Sequence, residues 1–151
     1  MAYFIDGNNL IGAIKREKVG KPEARYWLAY YIKKFQKKRR SKVVLFFDGP
    51  IDYDLLSISE NIEIIFSVER EADLLIKERI NKMRYRKDLF VITADRELVS
   101  YAKKKGAKII NPHRFFNYVL LFLENEVKKP DEKLTEDEIK LWENLFLRRR
   151  K

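Results

Sequence analysis

The chain has 151 residues, no cysteine and a formal net charge of +10, with 46% hydrophobic and 37% charged residues. This composition predicts one domain with a buried core, and it excludes disulfides, thiolate zinc sites and thiol nucleophiles; no apolar run approaches the roughly 20 residues of a membrane span. The apolar run Met1 to Ile5 ends at Asp6 and has no charged region before it, unlike a signal peptide. We therefore expect a cytoplasmic protein with no membrane partner. Its positive charge should attract polyanions.

The first third of the chain predicts a strand, a turn and a long helix. Ala2 to Ile5 is a short apolar run that stops at the turn-like sequence Asp-Gly-Asn-Asn, as a buried strand does. We interpret Ile11 to Lys21, which is basic and contains two glycines, as a loop or an irregular start to a helix. Pro22 suits a first helical turn, and apolar residues then recur at helical spacing at Ala24, Trp27, Leu28, Tyr31 and Phe35.

Strands and helices alternate through the middle of the chain. Four further apolar runs predict strands at Val43–Phe47, Ile62–Phe66, Leu89–Ile92 and Ala107–Ile110. Helical periodicity predicts helices at Ala72–Met83, at Leu98–Ala102 before a stop at Gly106, and at Phe115–Leu123. The alternation predicts an α/β fold, a parallel sheet with helices on both faces, in which ligands bind outside the carboxyl ends of the strands.

The last part of the chain predicts a linker and one more helix. Residues 124–135 are charged and contain Pro130, and Thr135 with Glu138 forms a capping box before an apolar helical face around Trp142. We therefore expect a domain over residues 1–124, followed by a linker and C-terminal helix over 125–151. The apolar face of that helix must pack on the domain or on a partner, and a homodimer through it is one such arrangement.

Four aspartates should share one edge of the predicted sheet. Asp6, Asp48 and Asp95 end strands, and Asp73 lies in the first turn of the helix after the third strand. Each also has a structural explanation, as a turn residue, a helix cap or a partner of a helix dipole. Together they would repel, because two carboxylates about 5 Å apart repel by roughly 3 kcal/mol at an effective dielectric of about 20. A cluster of hard oxygen ligands suits Mg²⁺ or Mn²⁺, which would activate water against a phosphodiester.

Neighbouring polar residues extend the candidate site. Asn9 and Thr93 could order metal-bound water or hold a phosphate, whereas Glu69 and Glu71 are equally well read as a further ligand or as solvated charges. Other chemistries fit less well, because the sequence has no glycine-rich phosphate loop and only one histidine, His113.

Basic residues are the candidate contacts to a nucleic acid. Arg96 stands beside Asp95 and could reach a phosphate. We expect other cations to bring the nucleic acid to the acidic pocket, from Lys15, Arg16, Lys18 and Lys21, from Lys37 to Arg40, and from Arg84 to Lys87. Three tyrosines could stack on bases, namely Tyr3, Tyr26 and Tyr53, although each could equally be a core or rim residue.

The segment Phe4 to Ile11, with the sequence FIDGNNLI, resembles the opening motif of NYN domains, in particular the YacP-like branch of the PIN-like nuclease superfamily. Later segments match in order at Phe46–Gly49, Ile65–Ser67, Glu71–Asp73, Val91–Glu97 and Leu98–Ile110. The resemblance covers about residues 2–123. It implies a Rossmann-like, three-layer PIN-like fold with a central parallel sheet in the order 3-2-1-4-5, and a divalent-metal-dependent endoribonuclease.

The resemblance also implies roles for single residues. Asp6, Asp73 and Asp95 match the metal-binding aspartates of the family, and Asp48 matches the acidic residue of the second strand, as a catalytic auxiliary. Asn9 matches the asparagine of the opening motif. Two alternatives stay open at this point: a non-catalytic RNA- or ribosome-binding module of the same fold, and a toxin-type PIN ribonuclease.

Overall fold

The computed structural model describes residues 1–14 and 22–127, and it describes the side chains of residues 1–12 and 24–123. Five strands alternate with six helices in this part of the chain. In chain order they are β1 Ala2–Asp6, α1 Gly7–Ile14, α2 Pro22–Arg39, β2 Lys42–Asp48, α3 Tyr53–Ser57, β3 Glu63–Ser67, α4 Ala72–Lys82, β4 Leu89–Ile92, α5 Arg96–Lys104, β5 Lys108–Ile110 and α6 Pro112–Val127. None of these helices is long and apolar enough to cross a membrane.

The strands form one parallel sheet in the order β3-β2-β1-β4-β5, which confirms the predicted topology. β1 lies in the middle, and Ala2 is level with Lys42 of β2 on one side and with Leu89 of β4 on the other. Because all five strands run the same way, their carboxyl ends meet at one edge of the sheet. The segments that lead into them meet at the opposite edge.

Both faces of the sheet are covered, so the strands are nearly continuous apolar runs rather than alternating ones. Tyr3 and Ile5 point into the core formed with α1, α2, α3 and α6, whereas Phe4 points into the core formed with α4 and α5. The period of two along β1 therefore divides its side chains between two separate hydrophobic cores.

The structure corrects the prediction for residues 6–14. The sequence Asp-Gly-Asn-Asn was expected to form a turn, but α1 begins at Gly7, directly after β1. Gly7 permits this start because a Cβ there would lie 2.4 Å from the Phe47 ring and 2.8 Å from the Phe46 carbonyl oxygen. The close approach of the helix to β2 explains why a turn-forming residue begins a helix.

Two other boundaries differ from the predictions. Helix α3, Tyr53–Ser57, was not expected; the side chain of Asp52 caps it by accepting the N–H of Leu55 at 3.1 Å. Helix α6 continues to Val127, into the first residues of the predicted linker. The rest of that linker, the capping box at Thr135 and the helix around Trp142 lie outside the described residues, as does most of the loop predicted to end at Lys21.

Candidate active site

The candidate site lies where three helices begin at the carboxyl edge of the sheet. Asp6 is the last residue of β1, and its Oδ1 accepts the backbone N–H of Asn9 in the first turn of α1, at 3.3 Å. Asp95 caps α5, and its Oδ1 accepts the N–H of Leu98 at 3.0 Å. Amide donors and the positive ends of helix dipoles therefore stabilise both carboxylates, of which Asp6 is buried and Asp95 is exposed.

Thr93 joins the aspartates of β1 and α5. Its hydroxyl donates to Asp6 Oδ2 at 3.3 Å and accepts the backbone N–H of Asp95 at 3.1 Å. The side chain is 1% exposed, so it does not face a substrate directly. Thr93 is therefore better described as a residue that positions the carboxylate of Asp6 and the backbone of Asp95 than as a phosphate contact.

Asn8 and Asn9 fasten the start of α1 to the two strands that flank β1. Asn8 Oδ1 accepts the backbone N–H of Asp48 at 2.8 Å, at the end of β2. Asn9 Oδ1 accepts the backbone N–H of Ala94 at 2.8 Å, just after β4. Two neighbouring asparagines thus fix the spacing of three strand ends that carry candidate ligands.

Asp48 organises the start of α4. Its Oδ1 accepts the backbone N–H of Ala72, the first residue of α4, at 2.8 Å and the hydroxyl of Ser67 at 3.2 Å. The carbonyl oxygen of Asp48 accepts from Arg25 Nη2 at 2.7 Å, and the same guanidinium lies 5.0 Å from the centre of the Phe47 ring. These contacts hold Asp48 to the helix that carries Asp73, one residue further along.

Asp73 lies in the first turn of α4 beside a lysine. Its Oδ2 is 3.9 Å from Lys77 Nζ, and that ammonium also pairs with Glu97 of α5 at 3.0 Å. The hydrogen bond to Glu97 raises the pKa of Lys77, and the charges of Asp73 and Asp95 add to this shift. Lys77 therefore stays charged while it bridges the helices that bear two candidate ligands. The other oxygen of Asp73, Oδ1, is buried and has no hydrogen-bond partner among the residues that the structure describes.

The electrostatics single out Asp6. The pKa of its carboxyl is raised from 3.8 to about 6. Burial is the largest cause and the charges of Asp48 and Asp95 contribute, while the hydrogen bonds from Asn9 and Thr93 oppose the rise. Its ionised form is therefore stabilised less than in water, and a cation at this edge would favour that form.

The donors at this edge fit a hard divalent cation in type and in location. They are carboxylate oxygens, and the charges of Asp48 and Asp95 raise the pKa of Asp6. Within the described part of the chain, the buried Oδ1 of Asp73 has no hydrogen-bond partner. As the side chains of residues 1–12 and 24–123 stand, no three acidic or histidine groups are close enough together to hold one ion. Ligation by three aspartates thus requires some of these side chains to move inward.

The remaining predicted site residues fall into two groups. Arg96, Glu69 and Glu71 lie at the carboxyl edge and are exposed, and Glu71 precedes α4 without capping it through its side chain. Lys15 and Arg16, with Lys18 and Lys21, lie outside the described residues.

The structure places several of the candidate RNA contacts away from the acidic site. Lys37 to Arg40 and Arg84 to Lys87 lead into β2 and β4, so they lie at the edge opposite the acidic site and cannot line it. Tyr3 is 3% exposed, and its ring packs against Phe35 and Phe90, so it is a core residue. Tyr53 remains 75% exposed.

Sequence reasoning missed several residues that shape the site. Asn8 was left unassigned, although asparagine after a strand-end aspartate is a residue type that bonds to nearby backbone. Lys77 was detectable only as an i,i+4 partner of Asp73. Arg25 and Ser67 depend on contacts across the fold, and no local sequence signal marks them.

Comparison with known proteins agrees with this architecture. A crystal structure of Rae1 (YacP) from Bacillus subtilis, a mutant form, superposes with a TM-score of 0.70 at 22% identity and covers 99% of this chain and 96% of that one. A second crystal structure of Rae1 (YacP) from Bacillus subtilis has a TM-score of 0.68, again at 22% identity, over 96% and 90% of the two chains. At this identity the likeness establishes the fold alone.

Among curated proteins none matches the chain. The family profile described as the YacP-like NYN domain matches residues 3–146, nearly the whole chain. The chain therefore belongs to the YacP-like NYN domain family, a family of the PIN-like nuclease type.

Proposed function

We propose that the protein is a divalent-metal-dependent endoribonuclease that hydrolyses RNA phosphodiester bonds in RNA processing or decay, in the cytoplasm. The observation that carries this proposal is the convergence of Asp6, Asp48, Asp73 and Asp95 at one sheet edge, in a chain of a nuclease-type family. The pKa of Asp6, raised by burial and by its acidic neighbours, supports a site built to receive a cation.

In this proposal Asp6, Asp73 and Asp95 hold Mg²⁺ or Mn²⁺. The bound ion would supply an activated water and neutralise charge on the scissile phosphate. Thr93 helps to keep Asp6 and Asp95 together, because its hydroxyl binds the carboxylate of Asp6 and the backbone N–H of Asp95. Asp48 acts as an auxiliary, because its hydrogen bond to Ala72 fixes the first turn of α4, where Asp73 lies.

The substrate contacts proposed here are polar groups at the same edge. Arg96 is exposed directly after Asp95 and would bind a non-bridging phosphate oxygen. Asn9 uses its carbonyl oxygen on Ala94, which leaves its amide NH₂ as the group that could donate to a phosphate. Lys15 and Arg16 stay candidate contacts on sequence grounds.

The test compares the wild type with Asp6→Asn, Asp73→Asn and Asp95→Asn. Mn²⁺ binding is measured by calorimetry, and cleavage of single-stranded and hairpin RNA is measured in Mn²⁺ and in EDTA. We expect each substitution to weaken Mn²⁺ binding and to lower the cleavage rate by about 100-fold or more. Asp54→Asn is the matched control, since Asp54 is exposed at the same edge and is not a candidate ligand.

Three results would argue against the proposal. Unchanged cleavage in Asp6→Asn would remove the site assignment. RNA binding without any cleavage by the wild type, and without stabilisation by Mn²⁺, would favour a non-catalytic RNA- or ribosome-binding module. Growth arrest that depends on Asp6 when the protein is expressed alone would favour a toxin-type nuclease over a processing enzyme.

A further inference from the structure

The two edges of the sheet carry opposite charges. The segments that follow the strands, residues 6–9, 48–54, 67–73, 93–97 and 111–114, contain nine acidic residues and three arginines. The segments that lead into β2 to β5, residues 37–42, 60–63, 82–88 and 103–108, contain thirteen lysines and arginines and three acidic residues. We call this second set the basic edge.

Helix dipoles account for only part of the basic edge. Lysine and arginine are favoured in the last turn of a helix, and six of the thirteen cations lie in the last turns of α2, α4 and α5. The other seven lie beyond the helix ends, where this effect fades, at Arg40, Lys42, Arg84, Arg86, Lys87, Lys105 and Lys108. A further reason for their clustering is therefore needed.

The charge of the basic edge is available to a ligand. Two of its three acidic residues are already paired with cations from outside the set, Glu60 with Lys33 and Glu63 with Arg79. Nine of the thirteen cations are exposed and form no salt bridge in the part of the chain with described side chains, namely Lys37, Arg40, Lys42, Lys82, Arg84, Lys87, Lys103, Lys104 and Lys108.

An exposed aromatic residue points to nucleic acid as the ligand. Tyr85 is 76% exposed and stands between Arg84 and Arg86 in the loop before β4. Arg86 holds this loop to the end of α4, because its guanidinium donates to the carbonyl oxygens of Ile80 and Asn81, both at 3.0 Å. A tyrosine presented between cations on an anchored loop suits stacking on a base beside bound phosphates.

We propose that the basic edge is an RNA-docking surface, separate from the candidate active site, that binds the phosphate backbone and stacks one base on Tyr85. Lys42 and Asp48 stand at opposite ends of β2, six residues apart, which corresponds to about 20 Å. On the proposed function, the docked segment and the cleaved segment of one RNA are therefore different, and the substrate is an RNA long enough, or folded suitably, to reach both edges.

The first experiment measures binding of a hairpin RNA in EDTA, so that no cleavage is required. The variant Arg84→Gln/Lys104→Gln removes two unpaired cations from the basic edge, and Lys34→Gln/Arg70→Gln removes two cations that lie outside the basic edge. We expect the first variant to bind about tenfold or more weakly, with a salt slope lower by about two, and the second to bind within about twofold of the wild type. Tyr85→Ala should weaken binding about fivefold or more with an unchanged salt slope.

The outcomes separate this proposal from its rivals. Equal loss of RNA affinity in both double variants would mean that only the net charge of the protein matters, and it would overturn the docking surface. Unchanged RNA binding in the basic-edge variant would overturn it as well. The proposal would also be overturned if the basic-edge variant lost the binding of the wild type to phosphatidylglycerol vesicles but kept full RNA binding. That result would assign the surface to membranes.

A second experiment tests whether one RNA molecule contacts both edges. The basic-edge double variant should raise KM for the hairpin RNA and leave KM for a trinucleotide unchanged, because a substrate with two phosphodiester bonds is too short to reach both edges. An equal rise for both substrates would overturn the spanning geometry. If the wild type cleaves neither substrate, the proposed function fails, whereas the binding result in EDTA still decides the docking surface.

Discussion

The hydroxyl of Thr93 donates to the carboxylate of Asp6 across 3.3 Å, between the end of β4 and the end of β1. Both side chains are buried, and the same hydroxyl accepts the N–H of Asp95. One buried threonine therefore couples two of the proposed metal ligands.

Replacement of Thr93 by valine keeps the shape of the side chain and removes its hydroxyl. The lost hydrogen bond favoured the ionised form of Asp6, so the pKa of Asp6 should rise above about 6, and the low-pH limb of Mn²⁺ binding should move to higher pH. Stability should fall by about 1–3 kcal/mol, because Asp95 also loses an acceptor for its N–H. Thr93→Ser retains the hydroxyl and should restore the wild-type pH profile; equal profiles for the valine and serine variants would contradict this role.

Asp6 should make the metal-free protein less stable at high pH. Its folded-state pKa of about 6 lies above the ordinary value of 3.8, so the folded protein binds this proton more tightly than the unfolded chain. The stabilisation is complete below about pH 4 and is lost as the pH rises through 6, which amounts to about 3 kcal/mol.

Asp6→Asn removes this titration. In EDTA at pH 8 the variant should be more stable than the wild type by up to about 3 kcal/mol, as measured by urea unfolding. The advantage should shrink as the pH falls to 4. Glu69→Gln removes one exposed acidic charge and should show no such gain. Lower stability of Asp6→Asn at pH 8 would mean that ionised Asp6 does not destabilise the folded protein.

Asn8 should matter for stability and for the site together. Asn8→Ala deletes the acceptor of the Asp48 N–H, and we expect a loss of about 1 kcal/mol in the free energy of unfolding. Because Asp48 also holds the start of α4, Mn²⁺ affinity should fall as well. Asn81→Ala, an exposed asparagine of α4, is the control. A stability loss with wild-type Mn²⁺ affinity would show that the end of β2 does not influence the metal ligands.

Lys77 should oppose metal binding. Its ammonium lies 3.9 Å from Asp73 Oδ2 and interacts with Asp95, so its positive charge offsets the negative charge that would attract a divalent cation. Lys77→Met removes this charge and should tighten Mn²⁺ binding about tenfold by calorimetry. Lys82→Met, an exposed lysine of the same helix, should leave the affinity unchanged. Weaker binding in Lys77→Met would mean that the lysine orders Asp73 more than it repels the ion.

The strands were predictable because a doubly covered parallel sheet leaves long apolar runs in the sequence. β4 was predicted to the residue, and the other four strands were predicted within about one residue at each end. Helix α1 was not predictable, because Gly7, Asn8 and Asn9 are poor helix formers that this fold uses for packing and for bonds to neighbouring strands.

The location of the aspartates was predictable, because the carboxyl ends of parallel strands meet at one edge of the sheet. Their hydrogen-bond partners were not, because Ser67 and Arg25 reach Asp48 from segments separated by 19 and 23 residues. The basic residues show the reverse case. Their charge was visible in the sequence, but only the topology shows that Arg84 to Lys87 lie opposite the acidic site.

Incubation of a circular single-stranded RNA with the protein tests the central claim most directly, because a circle has no ends for an exonuclease. With Mn²⁺ the wild type should convert the circle to a linear RNA of full length, and neither the wild type in EDTA nor Asp6→Asn in Mn²⁺ should do so. An intact circle under all conditions, or equal linearisation by wild type and Asp6→Asn, would contradict an endoribonuclease site built on these aspartates.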